Sequence, residues 1–314
     1  MKGTWSRTCL AFGVLILYVE AMAAPPTHAT TSQCAFRFGA TNNEFTFDTG
    51  VLRGKLGAGA KSLGLSSVIH IPTGMTLDRS MGLFSHYRLF TAAKRHGGGV
   101  WDLPSRAELR ADGSVEMTVK PSPERPFELR AIYRWHDAST LDLATIVEAE
   151  RELPGFEVFL ASYFAPQFTN AVICGMTNTA PKFIRADRSL AHWQMFARDD
   201  AAVAMIKDGR WTSPPNPVEW TVCGKLTHPL AVRRAPELKL NALLMAPPED
   251  CFAIGSPYET EGHYSMYLSL FGRNIKAGEI ARARSRLAFR SALDDREVLQ
   301  VYQDYVSELG RDDH

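Results

Sequence analysis

The sequence has no excess of charge of either sign, and this excludes some classes of partner. Its 314 residues include 35 basic and 34 acidic side chains, for a formal charge of +1. Without a basic excess there is no general electrostatic attraction to nucleic acid or to an anionic membrane surface. We therefore expect neither as a partner, and a neutral ligand fits the charge balance better.

The motifs of several common chemistries are also missing. No two cysteines have CxxC spacing and no HxH or HExxH pair occurs, so we predict no metal site. A GxSxG motif is absent, and the adjacent Ser85 and His86 would point to opposite faces of a strand. Gly57 and Gly59 lack the third glycine and the helix of a phosphate-binding loop. We therefore predict no cofactor.

Long hydrophobic runs are scarce, and the N-terminal one is short. It covers Cys9–Val19, well below the roughly 20 residues that a membrane-spanning helix requires. Lys2 and Arg7 precede it and Ala-Met-Ala follows it, which is the pattern of a secretory signal peptide with its cleavage site. We predict a signal peptide at 1–23, a disordered leader at 24–33, and a secreted or periplasmic protein without membrane association after cleavage.

Only five cysteines are present, and Cys9 belongs to the predicted signal peptide. The remaining four are Cys34, Cys174, Cys223 and Cys251, an even number that permits up to two disulfides in an oxidising compartment. Cys174 and Cys223 each lie in an apolar run, where a buried free thiol fits the sequence as well as a disulfide does. The sequence leaves both states open.

Alternation of apolar and polar residues predicts that most of the chain forms β-strands. Tight turns are predicted at Asp112-Gly113 and Asp208-Gly209, because glycine readily adopts a positive φ. The Pro-rich segment 211–220 predicts a stiff loop across one end of a sheet. The predicted strands are Glu44–Phe47, Ser114–Val119, Phe127–Trp135, Leu141–Glu148, Phe156–Phe164, Ala201–Ile206, Arg210–Thr212, Val218–Cys223, Leu238–Met245, Cys251–Ile254, Tyr264–Phe271 and Ala281–Phe289.

One helix is predicted, at Asp295–Leu309, where apolar residues recur at helical spacing. Asp294 is placed to cap its first turn together with Glu297, and Gly310 follows its last turn. Since strands do not alternate with helices, a doubly wound fold and an αβ barrel are disfavoured. We predict a mainly β chain, with one large antiparallel domain at 34–314 and a C-terminal α-helix.

The segment Gly82–Pro104 combines two His, two Arg, one Lys, one Asp and one Trp with three consecutive glycines. Imidazole, guanidinium, carboxylate and indole groups beside permissive backbone are typical of a polar cleft with an aromatic wall. Such a cleft suits a hydroxyl-rich ligand such as a sugar. The segment contains the candidate side chains His86, Arg88, Arg95, His96, Trp101 and Asp102.

Two short motifs resemble the galactose mutarotase-like superfamily. Arg95-His96-Gly97-Gly98 is similar to the His-Gly-Gly element that places a substrate-binding histidine in aldose 1-epimerases. Lys276-Ala277-Gly278-Glu279, followed by the strand Ala281–Phe289, is similar to the Pro-Gly-Glu turn and last strand that close those domains. Lys94-Arg95 replaces the family's Asn-His pair. The resemblance implies a large β-supersandwich that acts on a sugar.

Epimerisation of an aldose requires a base for the anomeric hydroxyl and an acid for the ring oxygen. We assign His96 as the binding or acid imidazole and His192 as the second imidazole. Glu261 is preferred to Glu259 as the base, because Gly262 gives its backbone freedom to enter a cleft. With the polar segment included, the predicted catalytic residues are His86, His96, His192 and Glu261.

The predicted substrate contacts supply charge, stacking and hydrogen bonds. Arg88 and Arg95 together could clamp a carboxylate, which would favour a uronic acid. Trp101 could stack on a pyranose while Asp102 accepts hydrogen bonds from its hydroxyls. The predicted substrate-binding residues are Arg88, Arg95, Trp101, Asp102, His263 and Tyr264.

We predict a carbohydrate-active protein that acts on a sugar or uronic acid, as an epimerase-like isomerase or a polysaccharide lyase. A glycosidase that pairs Asp102 with Glu259 or Glu261 stays open. The alternative is a non-catalytic carbohydrate-binding or structural module of the same fold. Convergence of the four predicted catalytic side chains in one cavity favours catalysis, whereas an open groove lined by Trp and Tyr favours binding.

Overall fold

The structure is a computed structural model that describes residues 1–3, 38–41, 44–58, 63–92, 94–177 and 180–312. Contacts divide the chain into two units, Met1–Cys34 and Ala35–His314, and the fold below is that of the second. Apart from residues 1–3, the predicted signal peptide and leader lie outside the described residues, and so does Cys34.

Strands account for most of the described residues. They are β1 Gly39–Thr41, β2 Glu44–Asp48, β3 Leu52–Ala58, β4 Leu63–His70, β5 Met75–Thr76, β6 Ser85–Thr91, β7 Lys94–Arg95, β8 Arg106–Leu109, β9 Val115–Val119, β10 Phe127–Asp137, β11 Thr140–Ala149, β12 Leu153–Tyr163, β13 Asn170–Thr177, β14 Ala180–Arg185, β15 Trp193–Ala197, β16 Thr221–Ala235, β17 Leu240–Met245, β18 Cys251–Pro257, β19 Ser265–Ile275 and β20 Ile280–Ser291. The α-helices are α1 Asp200–Ile206 and α2 Asp295–Asp312, and 3-10 turns occupy Val100–Asp102, Arg210–Thr212 and Pro236–Leu238.

The strands form a small sheet and a much larger folded one. The small sheet has the order β1-β2-β3-β4-β5, and the large sheet has the order β7-β6-β12-β19-β18-β15-β16-β17-β20-β11-β10-β9-β8, with β13 on β16 and β14 on β13. Among the described pairs, only β15 and β16 run parallel. The predicted class, a mainly β antiparallel sandwich with a C-terminal helix, is confirmed.

The long strand β16 joins the two layers of the large sheet. Its first residues pair with β15, in the layer of β6, β12, β19 and β18. Its last residues, Leu230–Ala235, pair with β17, in the layer of β20, β11 and β10. The layers face each other across the main hydrophobic cluster, where Phe156 of β12 lies 5.1 Å from Phe127 of β10 between ring centroids.

β12 is buried on both faces, and this positions the site described below. Val158 and Leu160 belong to the main cluster between the layers. Phe159 and Tyr163 point the other way, into a second and largely aromatic cluster that α1 covers with Ala202 and Ile206. A strand that is apolar on both faces thus separates two compartments.

Two predicted strands, Ala201–Ile206 and Arg210–Thr212, are wrong, because the first segment forms helix α1 and the second a 3-10 turn. Asp199 caps the helix by accepting a hydrogen bond from the amide of Ala202 at 2.8 Å. The buried side chains of Ala202 and Ile206 are one helical turn apart, so they share a face. Gly209, at φ +93°, then leads into the 3-10 turn Arg210–Thr212 and not into the predicted hairpin strand.

The C-terminal helix is confirmed together with its cap. The amide of Glu297 donates to Asp294 Oδ1 at 2.9 Å, and the amide of Asp294 donates to Glu297 Oε2 at 2.8 Å. The helix continues through Gly310 to Asp312, beyond its predicted end. In the described part of the chain, neither α-helix is both long and apolar enough to cross a membrane.

The cysteines that the structure describes are free thiols. Cys174 and Cys251 are buried and Cys223 is half-buried. Burial raises the pKa of the Cys174 thiol to about 11 and that of Cys251 to about 12. These two groups are therefore protonated at neutral pH and pack as small apolar side chains.

Candidate functional site

A cavity of about 430 Å³ lies on the outer face of β6, β12 and β19, above the second cluster. Polar groups enter it from Arg88 and His263, and the backbone segment 216–218 closes one side. We call it the aromatic cavity, because the rest of its wall consists largely of the rings of Tyr87, Phe159, Tyr163, Trp193, Trp211, Trp220 and Tyr267.

An irregularity in β6 brings two adjacent side chains to the same cavity. Arg88 pairs with Phe159 and His86 pairs with Leu160, so Tyr87 is an extra residue in the ladder. A bulge of this kind interrupts the alternation of side chains along a strand. Tyr87 and Arg88 therefore both line the cavity, while His86 points into the sandwich.

The predicted stiff loop at 211–220 supplies a wall of the cavity. Trp211 and Trp220, at its two ends, have ring centroids 5.5 Å apart. Phe159 stacks on Tyr267 at 4.6 Å, and Trp193 meets Trp220 edge-on at 5.7 Å. These rings pack against each other, so the wall is preformed.

Arg88 is the buried cation of the cavity, with 3 % of its surface exposed. Its Nη2 donates to the carbonyl of Asn216 at 2.7 Å and to Tyr87 Oη at 3.1 Å. The guanidinium lies 4.7 Å from the Tyr87 ring and 5.2 Å from the Trp211 ring. Nε and Nη1 are buried without a hydrogen-bond partner among the described residues, and no described carboxylate pairs with them. Burial of an unpaired charge is costly, so this group is poised for an anion.

Two phenols line the cavity beside Arg88. The rings of Tyr163 and Tyr267 meet edge-on, with centroids 6.1 Å apart. Burial raises the pKa of Tyr163 far above its ordinary value and raises that of Tyr267 to about 12. Both are therefore protonated at neutral pH.

An oriented imidazole lies at the edge of the cavity. Nδ1 of His263 is 2.9 Å from both carboxylate oxygens of Glu261, which also accepts from the His263 amide at 2.9 Å. When Nδ1 donates to the carboxylate, Nε2 is left as a proton acceptor. The pair is thus arranged as a general base with its orienting carboxylate.

A buried arginine and an exposed one fix the loop that carries this pair. Arg233, fully buried, donates to the carbonyls of Glu259 and Ser265, each at 2.8 Å. Arg79 donates to the carbonyl of Gly262 at 2.8 Å. The loop position is therefore set from beneath by guanidinium groups on other elements.

Among the predicted site residues, Arg88 and His263 line the aromatic cavity, and Glu261 orients His263. Arg95 lies behind the wall, where Nη1 donates to the carbonyl of Pro215 at 2.5 Å. Burial, together with a smaller effect of nearby Arg88, lowers the pKa of Arg95 to about 10. Trp101 stacks on Tyr87 at 4.5 Å. Arg95 and Trp101 therefore support the wall from outside the cavity.

The other predicted histidines are not brought to the cavity. His86 is fully buried, with Nδ1 3.0 Å from Tyr133 Oη and Nε2 3.0 Å from Thr145 Oγ1. Burial lowers its pKa to about 3, so it is a neutral group of the sandwich interior. The bulge at Tyr87 explains this, because it turns His86 inward.

His96 is also buried away from the cavity. Its Nδ1 donates to the carbonyl of Glu124 at 3.1 Å, its Nε2 lies 3.1 Å from Thr91 Oγ1, and its ring packs edge-on against Phe127. Burial is the largest effect on its pKa, which is lowered. The glycines that follow His96 form a turn, in which Gly97 has a φ of +81°.

The last predicted residues lie around the rim or outside it. His192 is exposed beside Trp193, at 5.3 Å between ring centroids. Asp102 is exposed near Gly98, and Tyr264 is half-buried against the main cluster. Glu259, the rejected base, forms an ion pair with Arg185. The four predicted catalytic side chains thus do not converge.

Sequence reasoning missed most of the aromatic lining. Phe159 and Tyr163 lie on one face of a strand, and Trp211 and Trp220 bracket the Pro-rich loop. Both signals are visible in the sequence, since two tryptophans that flank a stiff loop meet when the loop turns back. The sequence does not show where the bulge in β6 lies.

A second hollow, of about 530 Å³, lies along β8 and β9. Its charged side chains pair with one another or with neighbours, as in Arg106 with Glu108 and Lys120 with Glu128. No group of three or more potential metal ligands is found among the described residues. The aromatic cavity is therefore the candidate functional site.

Comparison with known proteins finds similarity in structure alone. No protein-family model matches the chain, and no curated protein sequence matches it. A putative aldose 1-epimerase from Escherichia coli K12 is 11 % identical at a TM-score of 0.44, over 79 % of this chain and 99 % of that one.

Two larger carbohydrate-active proteins are also similar to the chain. An alpha-N-acetylgalactosaminidase from Bifidobacterium bifidum, in complex with GalNAc, is 14 % identical at a TM-score of 0.48, over 88 % of this chain and 38 % of that one. A heparan sulfate lyase from Pedobacter heparinus is 8 % identical at a TM-score of 0.49, over 82 % and 37 %. All three TM-scores lie below 0.5, so these proteins do not indicate what this chain does. The similarity to these three proteins is one of fold alone.

Proposed function

We propose that the chain acts on an acidic carbohydrate, whose uronate carboxylate is bound by Arg88 in the aromatic cavity. The observation that carries this proposal is the buried guanidinium with Nε and Nη1 unpartnered among the described residues. Arginine is always charged and suits carboxylate groups, and a bound carboxylate supplies the missing counter-charge. A neutral sugar would leave that charge uncompensated.

The aromatic wall supports a sugar as the bearer of the carboxylate. Pyranose rings present apolar C–H faces, which pack on indole and phenol rings. The volume of about 430 Å³ falls in the usual range of roughly 300–1,000 Å³ for small-ligand sites. The cavity therefore offers one charged anchor and several stacking surfaces, which is the combination that an acidic sugar requires.

The polar groups around the anchor suit a β-elimination. Pairing with Arg88 neutralises the carboxylate and so acidifies the proton on the adjacent ring carbon. Nε2 of His263 takes that proton, a C=C bond forms to the next ring carbon, and the glycosidic C–O bond breaks. The departing oxygen takes the proton of Tyr267, and exchange with solvent then returns a proton to Tyr267 and removes the one held by His263. This reaction belongs to the polysaccharide lyase class.

A non-catalytic carbohydrate-binding module is the second candidate. It is favoured by the aromatic character of the cavity and by the positions of His86, His96 and His192, none of which lines it. The two candidates share Arg88 as anchor and differ in the role of His263. Export of the chain, proposed from the apolar run at Cys9–Val19, fits either one.

The test compares Arg88→Ala and His263→Gln with the wild type on a panel of uronate polysaccharides. Binding is measured by calorimetry and elimination by the ultraviolet absorbance of the unsaturated product. Arg88→Ala should weaken binding roughly 50-fold or more. His263→Gln should keep the affinity and lower kcat by roughly 100-fold or more.

The matched control is Arg296→Ala, which removes an exposed arginine of α2. Control and wild type should behave alike. Binding without an unsaturated product for any polysaccharide would establish the second candidate. Binding that survives Arg88→Ala unchanged would overturn the acidic-sugar proposal.

A further inference from the structure

A row of half-buried and exposed rings continues from the mouth of the aromatic cavity. Trp193, which lines the cavity, lies 5.3 Å from His192, and His192 lies 5.2 Å edge-on from Tyr258. The guanidinium of Arg188 lies 5.3 Å from the Tyr258 ring. We call these four residues the outer strip.

The sheet fixes the outer strip in place. β15 and β18 run antiparallel, with Trp193 opposite Pro257. The residue before one strand therefore lies beside the residue after the other, and the amide of Tyr258 donates to the carbonyl of His192 at 3.0 Å. The next amide, of Glu259, donates to the carbonyl of Ala186 at 2.9 Å. The rings are thus held by backbone pairing on both sides.

The charge of the outer strip matches that of the cavity. Arg188 is exposed, and no described carboxylate forms a salt bridge with it. Its neighbour Asp187 accepts from the amide of Ser189 at 2.8 Å, and Glu259 is paired with Arg185. Arg188 is therefore the unpaired cation of this surface, as Arg88 is of the cavity.

We infer that the outer strip binds a second sugar residue of the same acidic chain whose first residue occupies the aromatic cavity. This inference rests on the proposed function. A sugar ring packs on His192 and Tyr258, and its carboxylate, or that of the next residue, meets Arg188. The ligand is then an oligosaccharide or polysaccharide, and a free uronic acid fills only part of the site.

The experiment measures binding of a length series by calorimetry. The probes are mono-, di- and tetrasaccharides of galacturonate, mannuronate and glucuronate-containing chains. For the chemistry that binds best, the tetrasaccharide should bind about tenfold or more tightly than the monosaccharide. Tyr258→Ala should remove about tenfold of that affinity and leave the affinity for the monosaccharide unchanged.

Matched variants separate contact from folding. Tyr258→Phe keeps the ring and should keep the tetrasaccharide affinity, while Arg188→Ala should weaken the binding of the tetrasaccharide alone and reduce its salt dependence. Arg296→Ala is the control for loss of an exposed arginine. Thermal unfolding of each variant shows that the fold is retained.

The outcomes distinguish this inference from the function on which it rests. Equal affinity for monosaccharide and tetrasaccharide, with both affinities dependent on Arg88, would overturn the binding role of the outer strip. The proposed function would then still stand. Length-dependent binding that Tyr258→Ala and Arg188→Ala do not alter would also overturn it. Absence of binding by every probe would overturn both.

Discussion

Arg88 and Arg210 are both almost inaccessible to solvent, but their surroundings differ. Nη1 of Arg210 donates to Glu157 at 2.9 Å and Nη2 donates to Asp208 at 2.8 Å. Arg88 has a backbone carbonyl and a phenol, with no carboxylate among the described residues. Arg210 therefore belongs to the architecture, as does Arg233, whose guanidinium donates to three backbone carbonyls. Arg88, with both Nε and Nη1 unpartnered among the described residues, is instead the candidate anchor for a ligand.

The same contrast holds for two histidines. Both ring nitrogens of His86 are satisfied inside the sandwich. His263, which lines the cavity, has Nδ1 2.9 Å from Glu261 Oε1. The type of residue therefore does not show whether a side chain belongs to the site or to the core. The hydrogen-bond partners of its polar atoms do show this.

The largest effect is expected from removing the paired arginine. Arg210→Met leaves Glu157 and Asp208 buried or half-buried without their cation, so it should lower the free energy of unfolding by about 3–5 kcal/mol. Arg88→Met removes an uncompensated charge and should change that free energy by less than about 1 kcal/mol. Urea unfolding of both variants measures this. Equal losses would show that Arg88 is as structural as Arg210.

A more gradual effect is expected from acid. Unfolded His86 takes up a proton near its ordinary pKa of about 6.5, whereas the folded group stays neutral until about pH 3. The unfolded state therefore binds more protons between these values, and His86 contributes a loss of stability of up to about 1.4 kcal/mol per pH unit as the pH falls through this window.

This pH dependence is isolated by difference. The slope of unfolding free energy against pH should be shallower in His86→Gln than in the wild type between pH 6.5 and 3. His192→Gln, which removes an exposed histidine, is the matched control. Equal slopes in all three proteins would show that His86 is not the group responsible.

The smallest effect is expected from Arg95, which supports the loop and lies outside the cavity. Arg95→Ala removes hydrogen bonds to the carbonyls of Pro215 and Gly98. The loop residues 216–218 then hold the cavity less firmly, so ligand affinity should fall about fivefold. Calorimetry with the best-binding uronate measures this. A loss as large as that of Arg88→Ala would place Arg95 in contact with ligand.

The fold was largely predictable because alternation is a local property. The strand pattern and the capping residues Asp294 and Glu297 predicted most of the large sheet and helix α2. Helix α1 was missed although Asp199 and Ala202 carry a recognisable cap. We interpreted its six-residue apolar run as a strand, and the length of the run alone does not distinguish a strand from a helix.

The site was less predictable because it depends on one irregularity and on long-range packing. Arg88 and His263 were identified, yet His86 and His96 were placed in the site on the strength of their neighbours in sequence. Strand alternation cannot show that an extra residue at Tyr87 turns His86 inward. The rings of Trp211, Trp220 and Tyr267 come from distant segments, so their meeting requires the full sheet order.

The double burial of β12 limits how this protein can diversify. Phe159 and Leu160 are adjacent, yet one forms the cavity wall and the other fills the interior between the layers. A change in side-chain volume at either position therefore affects both the shape of the cavity and the packing between the layers. The exposed residues 214–217, between the two buried tryptophans, fill no interior space, so altered specificity is best sought there by directed evolution.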